Sequence, residues 1–145
     1  MGRLANILVV CTRNSARSQI AEAYLRRHVG DRFDVYSAGV DPSTVHPLTR
    51  RVLEEAGFDV SRHTAKNVRD FLGRLPVHTL IVVCDKADQR CPSTFPGLVE
   101  RLFWPFDDPA AATGSDEERL AAFRRVRDRI EARVRDWVGA GQTRA

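Results

Sequence analysis

The sequence predicts an α/β fold in which a small parallel sheet is covered by helices on both faces. Two observations predict it: four short apolar segments have the length of buried strands, and amphipathic helical patterns alternate with them along the chain. The 145 residues, 43% of them hydrophobic, suit one domain over residues 1–145 with a filled core. Because parallel strands end at one edge of the sheet, we expect a ligand site beyond their carboxyl ends.

The predicted strands are short runs rich in apolar residues. The first is almost continuously apolar, as expected of a strand covered on both faces, and the second and third are interpreted in the same way. A fourth, shorter run completes the set. The four segments are Leu4–Val10, Phe33–Ala38, Thr79–Val83 and Leu102–Trp104.

The predicted helices are Ser18–His28, Pro47–Ala56, Thr64–Leu72 and a last helix that follows Ser115. A proline suits the first turn of the second helix, and Thr64 is the predicted cap of the third. Ser115 and Glu118 have the spacing of a capping box. From Leu120 to Trp137, apolar residues recur at steps of three or four, which is typical of an amphipathic helix.

The segment that follows the first strand has the pattern of an oxyanion-binding loop. Cys11 begins it, and Arg17 follows after five intervening residues, at the start of a helix. Backbone N–H groups of such a loop converge on a tetrahedral anion, and the guanidinium holds two of its oxygens. The positive surroundings favour a thiolate on Cys11, to which Ser18 can donate a hydrogen bond. The predicted substrate-binding residues are Thr12, Arg13, Asn14, Ser15, Ala16, Arg17 and Ser18. The alternative is a buried structural cysteine beside a surface arginine.

A candidate general acid follows the fourth strand. A carboxyl group on a loop beside the anion can protonate a departing oxygen, and two consecutive residues, Asp107 and Asp108, offer one. Pro109 biases Asp108 toward an extended backbone. The alternative is a structural Asp-Pro turn.

The other two cysteines, Cys84 and Cys91, are separated by six mostly polar residues. The spacing is not that of a zinc site, and the four histidines show no ligand spacing, so no metal is expected. If the intervening residues form a short helix that unwinds, the two sulfurs can reach disulfide distance. The alternative is a pair of incidental cysteines. Three cysteines in total do not make a secreted disulfide framework, so we expect a cytoplasmic protein with reduced thiols.

Residues 11–22, with the sequence CTRNSARSQIAE, resemble the phosphate-binding loop of the low-molecular-weight tyrosine phosphatase fold. More narrowly, they resemble the thioredoxin-coupled arsenate reductases built on that fold. Gln19 and Ala110 match the reductases, whereas the phosphatases usually have proline and tyrosine there. Arg13 departs from the glycine of many relatives, which raises the question of a backbone angle that needs glycine. The resemblance implies a flavodoxin-like three-layer sandwich with a four-stranded parallel sheet.

The resemblance also implies a function, the reduction of arsenate to arsenite by a cysteine relay. In that reaction Cys11 attacks arsenic, Asp108 acts as the acid and Asp107 is the second candidate, and Cys84 then attacks Cys11. Cys91 finally attacks Cys84, and thioredoxin or a similar thiol reductant reduces the resulting disulfide; no tightly bound cofactor is implied. One alternative is a phosphatase that uses Cys11, Arg17 and Asp108. Another is a redox-sensing or anion-binding module without turnover.

Some reductases of this kind bind potassium beside the loop, and the matching positions here are Asn14, Glu22, Ser37 and Thr64. An acidic residue of those relatives is replaced by Lys66. We therefore expect the Lys66 ammonium to replace the ion and to pair with Glu22. The alternative is a surface lysine.

The remaining expectations concern partners. The net charge of +4 is a weak indication of nucleic-acid binding, because the cations do not cluster with aromatic residues. The first apolar run is too short for a leader or a membrane span. We expect a monomer that binds arsenate, with phosphate or sulfate as competing anions and thioredoxin as its protein partner, and no nucleic acid or membrane.

Overall fold

Four parallel strands form a sheet in the order β2-β1-β3-β4 in the computed structural model, which describes residues 5–85, 95 and 97–140. The strands are β1 (Ala5–Cys11), β2 (Phe33–Gly39), β3 (Thr79–Val82) and β4 (Glu100–Phe103). Each neighbouring pair of strands runs in the same direction, which confirms the predicted α/β class. Leu4, where the first strand was predicted to begin, lies outside the described residues.

Among the described residues, three α-helices and two short 3-10 helices connect or follow the strands. The α-helices are α1 (Arg17–Val29), α2 (Pro47–Glu55) and α3 (Asp116–Gly139), and the 3-10 helices are Val68–Asp70 and Pro109–Ala111. The capping box at the start of α3 is confirmed: Ser115 accepts from the Glu118 amide, and the Glu118 carboxylate accepts from the Ser115 amide.

The prediction of a helix over Thr64–Leu72 is wrong, because only the 3-10 turn Val68–Asp70 forms there. Long-range hydrogen bonds hold the start of the segment extended: the Lys66 carbonyl accepts from the Gly39 amide at 2.7 Å, and the Lys66 amide donates to Asn14 Oδ1. The cap of the turn is Asn67, and not Thr64. Tertiary contacts therefore override a local helical pattern here.

The fourth strand begins two residues earlier than predicted, at Glu100 rather than Leu102. It lies at the edge of the sheet, where Glu100 and Arg101 are exposed. An edge strand does not need the continuous apolar pattern of a central one, so its first half carries no such signal.

The two faces of the sheet have different covers. On one face, the Phe33 ring of β2 contacts the Trp137 ring of α3, and α3 packs against α1 and α2. Side chains alternate along a strand, so Tyr36 points to the other face, where its ring contacts Phe71 at 5.5 Å. The central residues of β1 and β3 are fully buried between these layers.

The strand order places the ends of β1 and β3 side by side. The chain leaves β1 toward β2 on one side, and β3 and β4 lie on the other, so a crevice forms beyond their carboxyl ends. The Cys11 loop opens at the end of β1, and Cys84 follows β3 by two residues. In the described part of the chain, no helix is both long and apolar enough to cross a bilayer.

Candidate active site

The Cys11 sulfur is buried at the end of β1 and is contacted by one residue of its own loop, Asn14, and by one residue of α1, Ser18. The Asn14 amide donates to Sγ at 3.0 Å, and the Ser18 hydroxyl lies 2.8 Å from it. Both residues are fully buried behind the loop. They therefore contact the thiol itself, while other residues of the loop face the open cavity.

Asn14 has a left-handed backbone, with φ of 52°. Asparagine tolerates this region, and its side-chain amide donates to Ser18 Oγ at 2.7 Å and to Ser37 Oγ at 3.0 Å. Arg13 is not among the described residues with positive φ, so a side chain there brings no backbone strain. The arginine at position 13, where many relatives have glycine, is therefore compatible with the backbone of the loop.

Arg17 folds back over the cavity from the start of α1. Its guanidinium donates to the Phe106 carbonyl at 3.1 Å and lies 3.9 Å from Asp108 Oδ2. The side chain is only 15% exposed. These two contacts with the loop after β4 orient the guanidinium over the cavity.

The two candidate acids lie in different surroundings. Asp108 lines the cavity, and its Oδ1 accepts from the Ala110 amide at 3.0 Å, which leaves the half-exposed carboxylate beside Arg17. Asp107 is 87% exposed and pairs with Arg129 of α3. The geometry therefore favours Asp108 as the acid.

Cys84 is buried beside the loop, and its sulfur lies 3.2 Å from the Thr12 hydroxyl. Thr12 follows Cys11 directly in the sequence. The structure therefore brings the second thiol beside the anion loop, residues 11–17. Cys91, the predicted third member of the relay, lies outside the described residues.

A cavity of about 400 Å³ opens above the loop. Both described cysteines, Arg17 and Asp108 line it, so the structure brings these four residues to one site. Asp85 and Ala110 also line it, although neither was predicted as a site residue. The lining residues are Cys11, Thr12, Arg13, Ser15, Ala16, Arg17, Cys84, Asp85, Asp108 and Ala110.

The predicted cation-pocket residues come together behind the loop. The Lys66 ammonium donates to the Thr64 carbonyl at 2.8 Å and lies 3.8 Å from Glu22 Oε1. The Ser37 hydroxyl donates to the same carboxylate oxygen and accepts from Asn14. In the described ranges, no group of three or more His, Cys, Asp or Glu side chains is placed to share a metal ion.

Several residues that support the loop were not predicted. The fully buried Gln19 amide donates to the Asn14 carbonyl, and its oxygen lies 2.9 Å from His63 Nδ1. His46 caps α2, and its backbone amide donates to the Ser15 carbonyl. The contacts of Gln19 with His63 and of His46 with Ser15 join distant parts of the chain, so local sequence patterns give no signal for them.

The cap at His46 predicts a pH dependence of stability. Its Nδ1 accepts from the Leu48 amide, which requires the neutral ring, and burial, assisted by Arg119, lowers the pKa of His46. The unfolded chain, with a histidine pKa of about 6.5, therefore binds more protons, and stability is lost as the pH falls below that value. His46→Asn keeps a capping side chain without this titration, so its unfolding free energy, measured by urea at about pH 7.5 and 5.5, should fall less on acidification than that of the wild type. A variant that loses as much stability as the wild type would contradict this role of His46.

Gly39 packs directly against the anion loop. A Cβ atom at this position would lie 2.7 Å from the Thr12 carbonyl oxygen and 2.9 Å from two further backbone atoms of the loop. Gly39→Ala is expected to displace the loop and to lower the free energy of unfolding by about 1–3 kcal/mol. Gly139→Ala is the matched control, because its added methyl group meets nothing within 4 Å. Urea unfolding of both variants tests this, and equal stabilities would contradict it.

The chain matches the model of the low molecular weight phosphotyrosine protein phosphatase family over residues 6–144. It is 40% identical to the arsenate reductase of Halalkalibacterium halodurans over an alignment of 137 residues. The alignment covers 94% of this chain and 96% of that protein.

Solved structures show the same similarity. The fold matches an arsenate reductase in the phosphate-binding state with a TM-score of 0.74 and 27% identity, over 94% of this chain and 98% of the other. A thioredoxin-dependent arsenate reductase from Corynebacterium glutamicum shares the fold with a TM-score of 0.74 at 23% identity, over 99% of this chain and 65% of that one.

Proposed function

The chain belongs to the low molecular weight phosphotyrosine protein phosphatase family, and because it is 40% identical to an arsenate reductase, we propose that it reduces arsenate to arsenite through a cysteine relay. The observation that carries the proposal is the second buried thiol in the anion cavity, with Cys84 Sγ 3.2 Å from the Thr12 hydroxyl. Hydrolysis of a phosphate ester needs one thiol, whereas a two-electron reduction needs two.

In the first step, arsenate binds to the loop amides and to Arg17. The Cys11 thiolate attacks arsenic, and Asp108 gives a proton to an arsenate oxygen, which leaves as water. The product is a thiol ester of arsenic(V) on Cys11. The donors that stabilise the thiolate, the Asn14 amide and the Ser18 hydroxyl, are already in place around the sulfur.

In the second step, Cys84 attacks the Cys11 sulfur. The sulfur–arsenic bond breaks, its electron pair stays on arsenic, and arsenite leaves while a Cys11–Cys84 disulfide forms. The Thr12 hydroxyl beside the Cys84 sulfur can donate to the attacking thiolate. Cys91 then attacks Cys84, frees Cys11 as a thiolate, and leaves a Cys84–Cys91 disulfide for thioredoxin or a similar dithiol to reduce.

A phosphatase is the second candidate. Cys11, Arg17 and Asp108 surround the cavity and are the groups that phosphate-ester hydrolysis needs. Asp108 is half exposed, so a water molecule can reach it for the hydrolysis of a phosphorylated Cys11. We also propose that residues 1–145 form one domain, as the chain length suggests, and that the protein is a monomer that acts in the cytoplasm, where thiols stay reduced.

A coupled assay tests the function. Arsenate should cause NADPH oxidation in the presence of thioredoxin and thioredoxin reductase, and Cys91→Ser should stop the reaction after one turnover. Efficient hydrolysis of an aryl phosphate without arsenate-dependent oxidation would support the phosphatase instead. Absence of both activities would leave an anion-binding module.

We also propose that the reaction does not depend on potassium. The Lys66 ammonium already contacts the Thr64 carbonyl and Glu22, and its positive charge fills the pocket implied by the resemblance. Turnover should be equal in potassium and sodium chloride at the same ionic strength. Lys66→Ala is the matched variant, since removal of the ammonium opens the pocket and should make its melting temperature sensitive to potassium. A strong potassium dependence of the wild type would contradict the proposal.

A further inference from the structure

The carbonyl groups of the anion loop are held from outside the loop. Four backbone amides of residues 40–46, which we call the backing segment, donate to them at 2.8–3.1 Å. The pairs are Val40 N to the Cys11 carbonyl, Asp41 N to the Thr12 carbonyl, Ser43 N to the Arg13 carbonyl and His46 N to the Ser15 carbonyl. The Asn14 carbonyl accepts instead from the Gln19 side chain at 3.0 Å. Each carbonyl from residue 11 to residue 15 therefore has a partner behind the loop.

This arrangement sets the direction of the amides. In a trans peptide the C=O and the following N–H point to opposite sides, and no peptide bond in the described residues is cis. A carbonyl held outward thus turns the next N–H inward. The loop itself shows the effect: the Arg13 carbonyl points to the backing segment, and the N–H of Asn14 points to the Cys11 sulfur at 3.0 Å.

Two of the donors behind the loop are side chains, Gln19 and Thr49, and both are fully buried. The Gln19 amide donates to three acceptors, so its substitution disturbs several contacts at once. The Thr49 hydroxyl, on α2, donates to the Ser15 carbonyl at 2.9 Å. That carbonyl precedes α1, and the following N–H belongs to Ala16, which lines the cavity.

We propose that Thr49 is a positioning residue for oxyanion binding. Its hydroxyl holds the Ser15 carbonyl toward α2 and so directs the Ala16 N–H into the cavity, where the anion accepts from it. Thr49 does not touch the anion and acts only through this peptide. The inference deepens the proposed function, but it concerns any tetrahedral oxyanion, so it can be tested without arsenate turnover.

The test measures binding of inorganic phosphate to the reduced protein by isothermal titration calorimetry. Thr49→Val keeps the shape of the side chain and removes the hydroxyl, and it should weaken phosphate binding about fivefold, since one orienting hydrogen bond is lost while the His46 amide still donates to the same carbonyl. Thr49→Ser restores a hydroxyl and should bind phosphate within about twofold of the wild type. Melting temperatures of the three proteins are recorded in parallel.

The outcomes are distinct. A weaker phosphate affinity in Thr49→Val, rescued in Thr49→Ser, supports the proposal even if arsenate reduction fails in the coupled assay. A lower melting temperature with unchanged phosphate affinity would make Thr49 a purely structural residue and overturn it. Equal weakening in both variants would also overturn it, because the effect would then not depend on the hydroxyl.

Discussion

Cys84→Ser is expected to abolish arsenate turnover while aryl phosphate hydrolysis stays near the wild-type rate. Serine can keep the contact with the Thr12 hydroxyl, now as an O–H···O hydrogen bond, so the shape of the cavity should be retained. The serine hydroxyl is not ionised at neutral pH and cannot form a disulfide with Cys11. The sulfur–arsenic bond is then not broken by a second thiol, and arsenic does not receive its electron pair. Multiple-turnover arsenate reduction should fall below about 1% of the wild-type rate, because the relay lacks its second thiol.

Two measurements on the same preparation check this result. NADPH oxidation coupled to thioredoxin measures reduction, and release of a chromogenic phenol measures hydrolysis, which needs Cys11, Arg17 and Asp108 but not Cys84. Unchanged hydrolysis shows that the variant is folded, so a loss of reduction alone assigns the electrons to Cys84. A variant that still reduces arsenate at the wild-type rate would contradict the relay.

The sheet, three of the helices and the presence of Cys11, Arg17, Cys84 and Asp108 at one site could be predicted from the sequence, because their signals are local. The anion loop lies between one strand and one helix, and Cys84 and Asp108 each follow a strand of the same parallel sheet. Parallel topology alone then brings residues that are 73 and 97 positions after Cys11 to the same cavity. The prediction of each role rests on a pattern within a short segment.

The parts that sequence reasoning missed depend on long-range contacts. The helical pattern at Thr64–Leu72 is overridden by two long-range hydrogen bonds of Lys66: its carbonyl accepts from the Gly39 amide, and its amide donates to Asn14 Oδ1. These bonds hold the first residues of the segment extended. Thr49 and His46 carry no local sequence signal, and only the fold brings both of them to the Ser15 carbonyl of the loop. Such donors cannot be inferred before the fold is known, since many threonines have the same local sequence environment.

The other large effect is expected at Arg17. Arg17→Lys should lower kcat/KM for both arsenate and aryl phosphate on the order of 10²–10³-fold, the usual cost of losing a preorganised oxyanion donor. The guanidinium donates to the Phe106 carbonyl and lies 3.9 Å from Asp108 Oδ2, and these contacts fix its plane over the cavity. A lysine ammonium is a single point donor on a flexible chain, so it retains the charge but loses the two-pronged contact with the anion.

Arg13→Lys is the matched control, because Arg13 also lines the cavity but is exposed at its mouth. If Arg13 contributes only charge, lysine replaces it with a change in kcat/KM of about twofold or less, and its contribution weakens as ionic strength rises. The comparison separates geometry from charge, since both variants keep the same net charge in the same cavity. Steady-state kinetics with both substrates, at low and high salt, measure the difference. Equal losses in the two variants would show that charge alone holds the anion, and they would contradict the role given to the fork of Arg17.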